Sequence, residues 1–250
     1  MAQHQRIATP RNLHYMKVAN LIRSGDPSGI QQIANILNRD AIQEWHDDFE
    51  GDLIADEWTA ISATSTAAVA NSLLTVTQSI TADTYYGIVG ALGWYPTKSC
   101  FMQARFNIPT ATTDQKIEIG FTDSVSNTGL VNVLANVDDF TTFTGADGAV
   151  LVWDTTSNNT NWCACAPRPA ALADRKVVTD TAPETVNYHT VGVRIDNTDA
   201  TFYIDGRRVA VITGATTAAT ALTPTVFHQS RGAARVLNLD YIWAIQSRRT

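Results

Sequence analysis

Lysine is scarce in this chain: Lys17, Lys98, Lys116 and Lys176 stand against fourteen arginines. With a formal net charge of -6, the 250 residues lack the basic face that displaces counterions from a nucleic acid. Bulk electrostatic binding of DNA or RNA is therefore excluded. Charged residues make up only 17% of the chain, below the usual share of about 25%, and Thr, Ala and Asn fill the gap. Cysteine is limited to Cys100, Cys163 and Cys165. An odd count with one Cys-Ala-Cys pair supports neither a disulfide framework nor a complete zinc site. The three read as buried thiols of a protein made in a reducing cytoplasm. No run approaches the roughly 18 apolar residues of a membrane span. The N-terminus "MAQHQRIATPRNLHYMKVANLIRSG" shows no apolar stretch of a secretory signal after its charges. Gly-x-Ser-x-Gly and a phosphate-cradling glycine loop are both missing.

Two regimes are visible in what is there. Residues 1–45 read as helical. In "DPSGIQQIANILNRDAIQEW", Asp26 is an N-cap with Pro27 at the first helical position, and Ile30, Ile33, Ala34 and Leu37 follow the amphipathic rule. Before it, Leu13, Met16, Asn20 and Leu21 form a weaker stripe closed by Gly25. A helix-turn-helix reading is set against a connection longer than the usual three or four residues. A helix pair too small to bury its own core should dock on something else, either its own sandwich or a neighbouring subunit.

From about residue 46 the chain reads as strands between turns. Candidates are "SLLTVTQSI", "TYYGIVGALGW", "CFMQARFNIP", "QKIEIGFTD", "GLVNVLANV", "GAVLVWDTT", "WCACAP", "YHTVGVRID", "ATFYIDG", "RRVAVITG" and "VLNLDYIWAIQSR". They are rich in Val, Ile, Thr, Tyr and Phe, and several alternate at period two. This predicts an all-β, two-sheet antiparallel sandwich over residues 46–250, preceded by a short N-terminal α-helical arm over 1–45.

The segment "YHTVGVRIDNTDATFYIDGRRVAVIT" is the most informative. Asp205-Gly206 predicts a type I′ turn between its last two strands. The whole resembles the hairpin of concanavalin A-like (laminin-G-like) jelly rolls, in which such a segment builds a sheet and carries no chemistry. "DDFEGDLIADEWTA" resembles that family's opening strand, "CFMQARFNIP" with "QKIEIGFTD" its central pair, and "LNLDYIWAIQSR" its closing strand, which pairs with the first. Such sandwiches recur in virion proteins of tailed bacteriophages, and the lysine-poor composition is similar to those.

Jelly rolls of this type host glucanases, so paired carboxylates matter. A retaining glycosidase needs two carboxyls about 5–5.5 Å apart, commonly at i and i+2 on one strand. Only five glutamates exist, Glu44, Glu50, Glu57, Glu118 and Glu184. Glu118 lies on a central strand, but its i+2 neighbour is Gly120 and Asp123 is out of register. Asp48, Glu50 and Asp52 have the spacing, yet they include Gly51 and sit at the domain's entry. There Phe49 and Trp58 are expected to anchor an otherwise solvated turn. No catalytic residues are assigned. The loops bearing Asp138, Asp139, Asp147, Asp196 and Asp199 offer oxygen ligands for calcium. Asx turns explain the same residues without a metal, so no cofactor is assigned and calcium stays an alternative.

The resemblance implies a structural virion component, a capsid decoration (cement) protein made in the host cytoplasm and placed on the capsid surface. The sandwich would form a homo-oligomer, a trimer. The arm would dock on the major capsid protein through Arg6, Arg11, Leu13, Met16, Lys17, Leu21, Ile30, Ile33 and Leu37. The alternative is a tail-associated adhesin holding a glycan, with Trp94, Tyr95, Trp153 and Trp162 as stacking candidates near loops. A glycoside hydrolase is the third reading.

Overall fold

A computed structural model describes residues 42–50, 58–63, 65–124, 143–156, 160–169 and 172–247. Two antiparallel sheets face each other. The eight-stranded sheet runs β13 (Arg207–Ile212), β12 (Asp199–Ile204), β11 (Tyr188–Asp196), β6 (Cys100–Asn107), β15 (Val236–Ser247), β4 (Leu73–Thr77) and β3 (Thr66–Ala70). β1 (Ile42–Asp47) also pairs with β15. The seven-stranded sheet runs β10 (Lys176–Val178), β9 (Cys163–Cys165), β8 (Gly148–Asp154), β7 (Gln115–Thr122), β14 (Thr223–Ser230), β5 (Tyr85–Val89) and β2 (Thr59–Ala63).

Period-two alternation sets what each sheet turns inward. From the eight-stranded sheet, Met102, Ala104, Phe106, Val191, Val193, Ile195, Leu239, Ile242 and Ala244 enter the inter-sheet core. Ile117, Ile119, Phe121, Leu151, Trp153, Ile88 and Val226 meet them from the seven-stranded sheet. Asp205 and Gly206 take φ of 49° and 77°, as the type I′ turn requires.

Two expectations need correction. Residues 42–45, read as the end of the helical arm, form β1, with Trp45 opposite Ala244 and Asp47 opposite Ile242. The closing strand does pair with the first, but that strand begins before the acidic stretch. Trp45 turns inward onto the core, so its alternation with Glu44 and His46 is a strand's. The acidic stretch itself holds Asx turns: Asp47 Oδ1 accepts the Phe49 N–H at 2.8 Å, and Asp48 Oδ1 the Glu50 N–H at 3.3 Å. Phe49 and Trp58 are buried core anchors, as expected. The second correction is β14, a central strand absent from the expected set. Its segment "TPTVFHQS" begins beside a proline and carries polar residues, yet all eight are buried. Pro224 sits near the start of the strand, at its second position, and its carbonyl accepts the Gly90 N–H at 3.1 Å.

The strand expected over "GLVNVLANV", the arm residues Arg6 to Leu37 and the carboxylates Asp52, Asp56, Glu57, Asp138 and Asp139 lie outside the described residues.

Candidate functional site

Glu118 is the carboxylate that the sequence places at a sheet centre, and β7 delivers it there. Ile117, Ile119 and Phe121 point into the inter-sheet core, so Lys116, Glu118 and Gly120 face the opposite side of the seven-stranded sheet. Register then fixes their neighbours. Lys116 lies between Gln229 on β14 and Asp154 on β8; Glu118 lies between Phe227 and Val152; Gly120 lies between Thr225 and Val150. A half-solvated sheet would expose this row. Instead Lys116 and Glu118 are each 0% exposed.

The pair solves its own electrostatic problem. Lys116 Nζ forms a salt bridge to Glu118 Oε1, and the same ammonium lies 5.8 Å from the centroid of the Phe227 ring. A charge buried this deeply persists only when paired. Beside it, the buried carboxylate of Asp154 is clamped by Arg231, through Nη2 to Oδ2 and through Nε to Oδ1 at 3.2 Å. The Thr156 N–H and hydroxyl both donate to Asp154 Oδ1 at 3.0 Å. Arg231 reaches on to Asp83 at 3.1 Å, and Gln229 Nε2 donates to the same Asp83 oxygen at 2.8 Å. Each carboxylate on this face thus has a cation against it.

A glycosidase pair does not assemble on β7. Two residues before Glu118 stands a lysine, and two after stands Gly120, where no carboxylate fits. A Cβ on Gly120 would lie 2.2 Å from the Ala149 carbonyl oxygen and 2.7 Å from Val150 Cα, both backbone atoms. The glycine is required because β8 passes so close. Gly120→Ala is expected to cost about 1–3 kcal/mol, seen as a lower midpoint in urea unfolding. A midpoint equal to that of the unaltered chain would show that β8 can yield.

The cysteines are inert. Cys163 and Cys165 pack with Val150 and Val152 on the same buried face. Burial pushes the Cys163 thiol up to about 11, the Cys165 thiol well above its ordinary value and the Cys100 thiol up to about 12. None is a thiolate at neutral pH, so none is a ready nucleophile or metal ligand.

Three of the four aromatic residues chosen for sugar stacking are buried, with Trp94, Trp153 and Trp162 between 3% and 4% exposed. Their backbones are near turns but their rings turn inward. Trp162 packs on Phe106 and Trp153, and Trp94 on Phe121. Only Tyr95 is half-exposed, with the Lys98 ammonium 5.2 Å from its ring centroid.

Among the described residues no three His, Cys, Asp or Glu side chains converge where they could hold a metal ion. Asp147 spends its carboxylate on the Thr217 N–H at 2.5 Å and the Thr220 hydroxyl at 3.1 Å. Asp199 accepts the Gly214 N–H at 2.9 Å, and Asp196 holds Arg194 and the Ser99 hydroxyl. These acids tie together segments distant in sequence, rather than forming the local Asx turns expected of them.

Lys116, Asp154, Gln229 and Arg231 are the members of this face that sequence reading missed. The "KIE" alternation was a usable signal for Lys116. The partners on β8, β14 and the turn after it become neighbours only through register.

No protein-family model matches the chain, and no curated protein matches it. Solved structures do. The carbohydrate recognition domain of Emp47p aligns with a TM-score of 0.59 and 12% identity, covering 84% of this chain and 98% of that one. The exoplasmic/lumenal domain of VIP36, in a Ca2+/Man-bound form, gives 0.60 and 12%, covering 85% and 92%. The Crh5 transglycosylase gives 0.56 and 13%, covering 82% and 85%. Identities this low establish architecture alone: the chain has the concanavalin A-like, lectin-type jelly-roll fold.

Proposed function

We propose that this chain is a glycan-binding domain of lectin type. The observation that carries the reading is the centre of the seven-stranded sheet. A Lys116–Glu118 pair and a close-packed Gly120 occupy the three positions of β7 from which a hydrolase of this fold would mount paired carboxyls. Solved neighbours include both carbohydrate recognition domains and a transglycosylase, and this strand favours the former. The capsid-decoration role expected from the resemblance gains no support from the comparisons, whereas the carbohydrate recognition domains among the solved neighbours support glycan binding, its alternative. Fold-level likeness sets the prior, and the strand's chemistry supports the binding branch over the hydrolytic one.

A glycan array probed with the full chain is expected to show selective binding, with no release of reducing sugar from the bound glycans. Release that disappears in Glu118→Gln while the variant stays folded would overturn the reading in favour of a hydrolase. An array with no signal, from chain that is folded by circular dichroism, would overturn glycan binding itself.

A further inference from the structure

The outer face of the eight-stranded sheet holds a depression of about 480 Å³ that is open to solvent. Its volume lies within the range of small-ligand sites, about 300–1,000 Å³. Gly192 forms the floor. Register sets Tyr203 of β12 on one side of Gly192 and Gln103 of β6 on the other, with Trp243 of β15 beyond Gln103. Phe101 leans across the glycine, since a Cβ there would lie 3.2 Å from Phe101 Cε2 and Cζ. A side chain at 192 would therefore displace the ring and fill the depression.

The walls are held in place before any ligand arrives. The Phe101 ring stands edge-on to Tyr203, centroids 6.4 Å apart at 75°, and to Trp243, 5.6 Å apart at 70°. Such edge-to-face pairs are favourable in themselves. At the end made by the β12–β13 turn, Asp205 Oδ1 accepts the Thr190 N–H at 2.8 Å, and its Oδ2 sits 2.7 Å from His189 Nδ1. Gln103 Nε2 donates to the Tyr241 hydroxyl at 2.8 Å, which leaves its carbonyl oxygen as an acceptor.

We infer that this depression is a binding site for a neutral pyranose, its apolar C–H face against Phe101 and Tyr203 and its hydroxyls on Asp205 and Gln103. The chemistry discriminates among ligand classes. An anion would meet the Asp205 carboxylate. A cation would compete with His189, which already pairs with that carboxylate. A purely apolar ligand would leave the Gln103 carbonyl oxygen without a donor and would cover the remaining lone pairs of an Asp205 carboxylate whose two oxygens each have a partner already. Sugar hydroxyls supply those donors, and two ring walls suit a pyranose. The inference rests on the glycan-binding reading and gives it a location. None of these residues was a candidate in the sequence.

The test is amide chemical-shift mapping of the full chain, titrated with the methyl pyranosides of glucose, galactose, mannose and N-acetylglucosamine. At least one is expected to move the amides of Thr190, Gly192 and Gly206. Tyr203→Ala and Asp205→Asn should each weaken that sugar about tenfold or more. Asparagine keeps the turn, because it tolerates the positive φ at 205. Val211→Ala, on the exposed edge of the same sheet, should leave affinity unchanged. A sugar whose shifts map elsewhere, with Tyr203→Ala binding normally, overturns this site and leaves glycan binding standing. No response from any sugar here, together with a silent array, overturns both. A fall in sedimenting mass caused by Tyr203→Ala, without loss of sugar affinity, would show that the face is a self-association surface instead.

Discussion

Glu118→Gln is expected to lower the stability of the domain by about 3–5 kcal/mol. Lys116→Met should cost a similar amount. Each change removes one half of an ion pair whose side chains are both 0% exposed, so the remaining charge loses its main compensation in a place water does not reach. The double change Lys116→Met with Glu118→Leu has a different outlook. Both charges leave together, their desolvation cost goes with them, and the pocket is refilled with apolar atoms beside Phe227 and Val152. Replacing a buried pair in this way is often neutral or stabilising by about 1–4 kcal/mol. Guanidinium unfolding at neutral pH measures all three variants. A double-mutant cycle showing strong coupling would establish the pair as a structural unit. If Glu118→Gln were as stable as the unaltered chain, the burial argument against catalysis at this position would fail with it.

The same strand shows why the site was less legible than the fold. Turn chemistry is local, so Asp205-Gly206 announced its hairpin, and β11, β12 and β13 followed from alternation on either side. Alternation also announced β7, but it could not say that both of its faces are buried. "QKIEIGFT" reads as apolar-in and polar-out, whereas all eight residues are buried. The polar positions are buried because Lys116 and Glu118 neutralise each other and Gly120 has no side chain. That compensation depends on a partner two residues away and on strands far along the chain. The tryptophans misled for a related reason. Trp153 follows a turn-rich sequence backwards, but its parity with Ala149 and Leu151 sends it into the core. Closeness to a turn says nothing about which face a ring takes. β14 was hidden by its composition, since Pro224, His228 and Gln229 resemble a loop until β5 and β7 close on either side. The depression over Gly192 escaped notice because it exists only where β6, β11 and β12 bring three unremarkable positions into one row.

His228 on β14 should make the domain lose stability as the pH falls below about 6.5. The ring is fully buried, and burial depresses its pKa from the ordinary 6.5 to about 3. Hydrogen bonding explains why no compensation is at hand. Gln115 donates through Nε2 to the Ala111 carbonyl, so its Oε1 is the acceptor, 2.9 Å from His228 Nε2. Nε2 therefore carries the ring proton. Nδ1, where a second proton would go, is buried without a hydrogen-bond partner. The sign follows from proton counting. Between pH 6.5 and about 3 the unfolded chain binds a proton at this residue and the folded chain does not. Stability thus falls as pH falls through that window, by about 1.4 kcal/mol per unit. At pH 5 the loss from this residue reaches about 2 kcal/mol, and it grows further toward pH 4. His228→Gln keeps a donor toward Gln115 and has nothing to titrate, so its stability should decline less between pH 7 and pH 5 by about that amount. Urea unfolding of both proteins at the two pH values measures the difference. Equal declines would mean that the folded domain admits a proton at Nδ1, and that water or a mobile acceptor reaches a ring which the packing of β14 closes off.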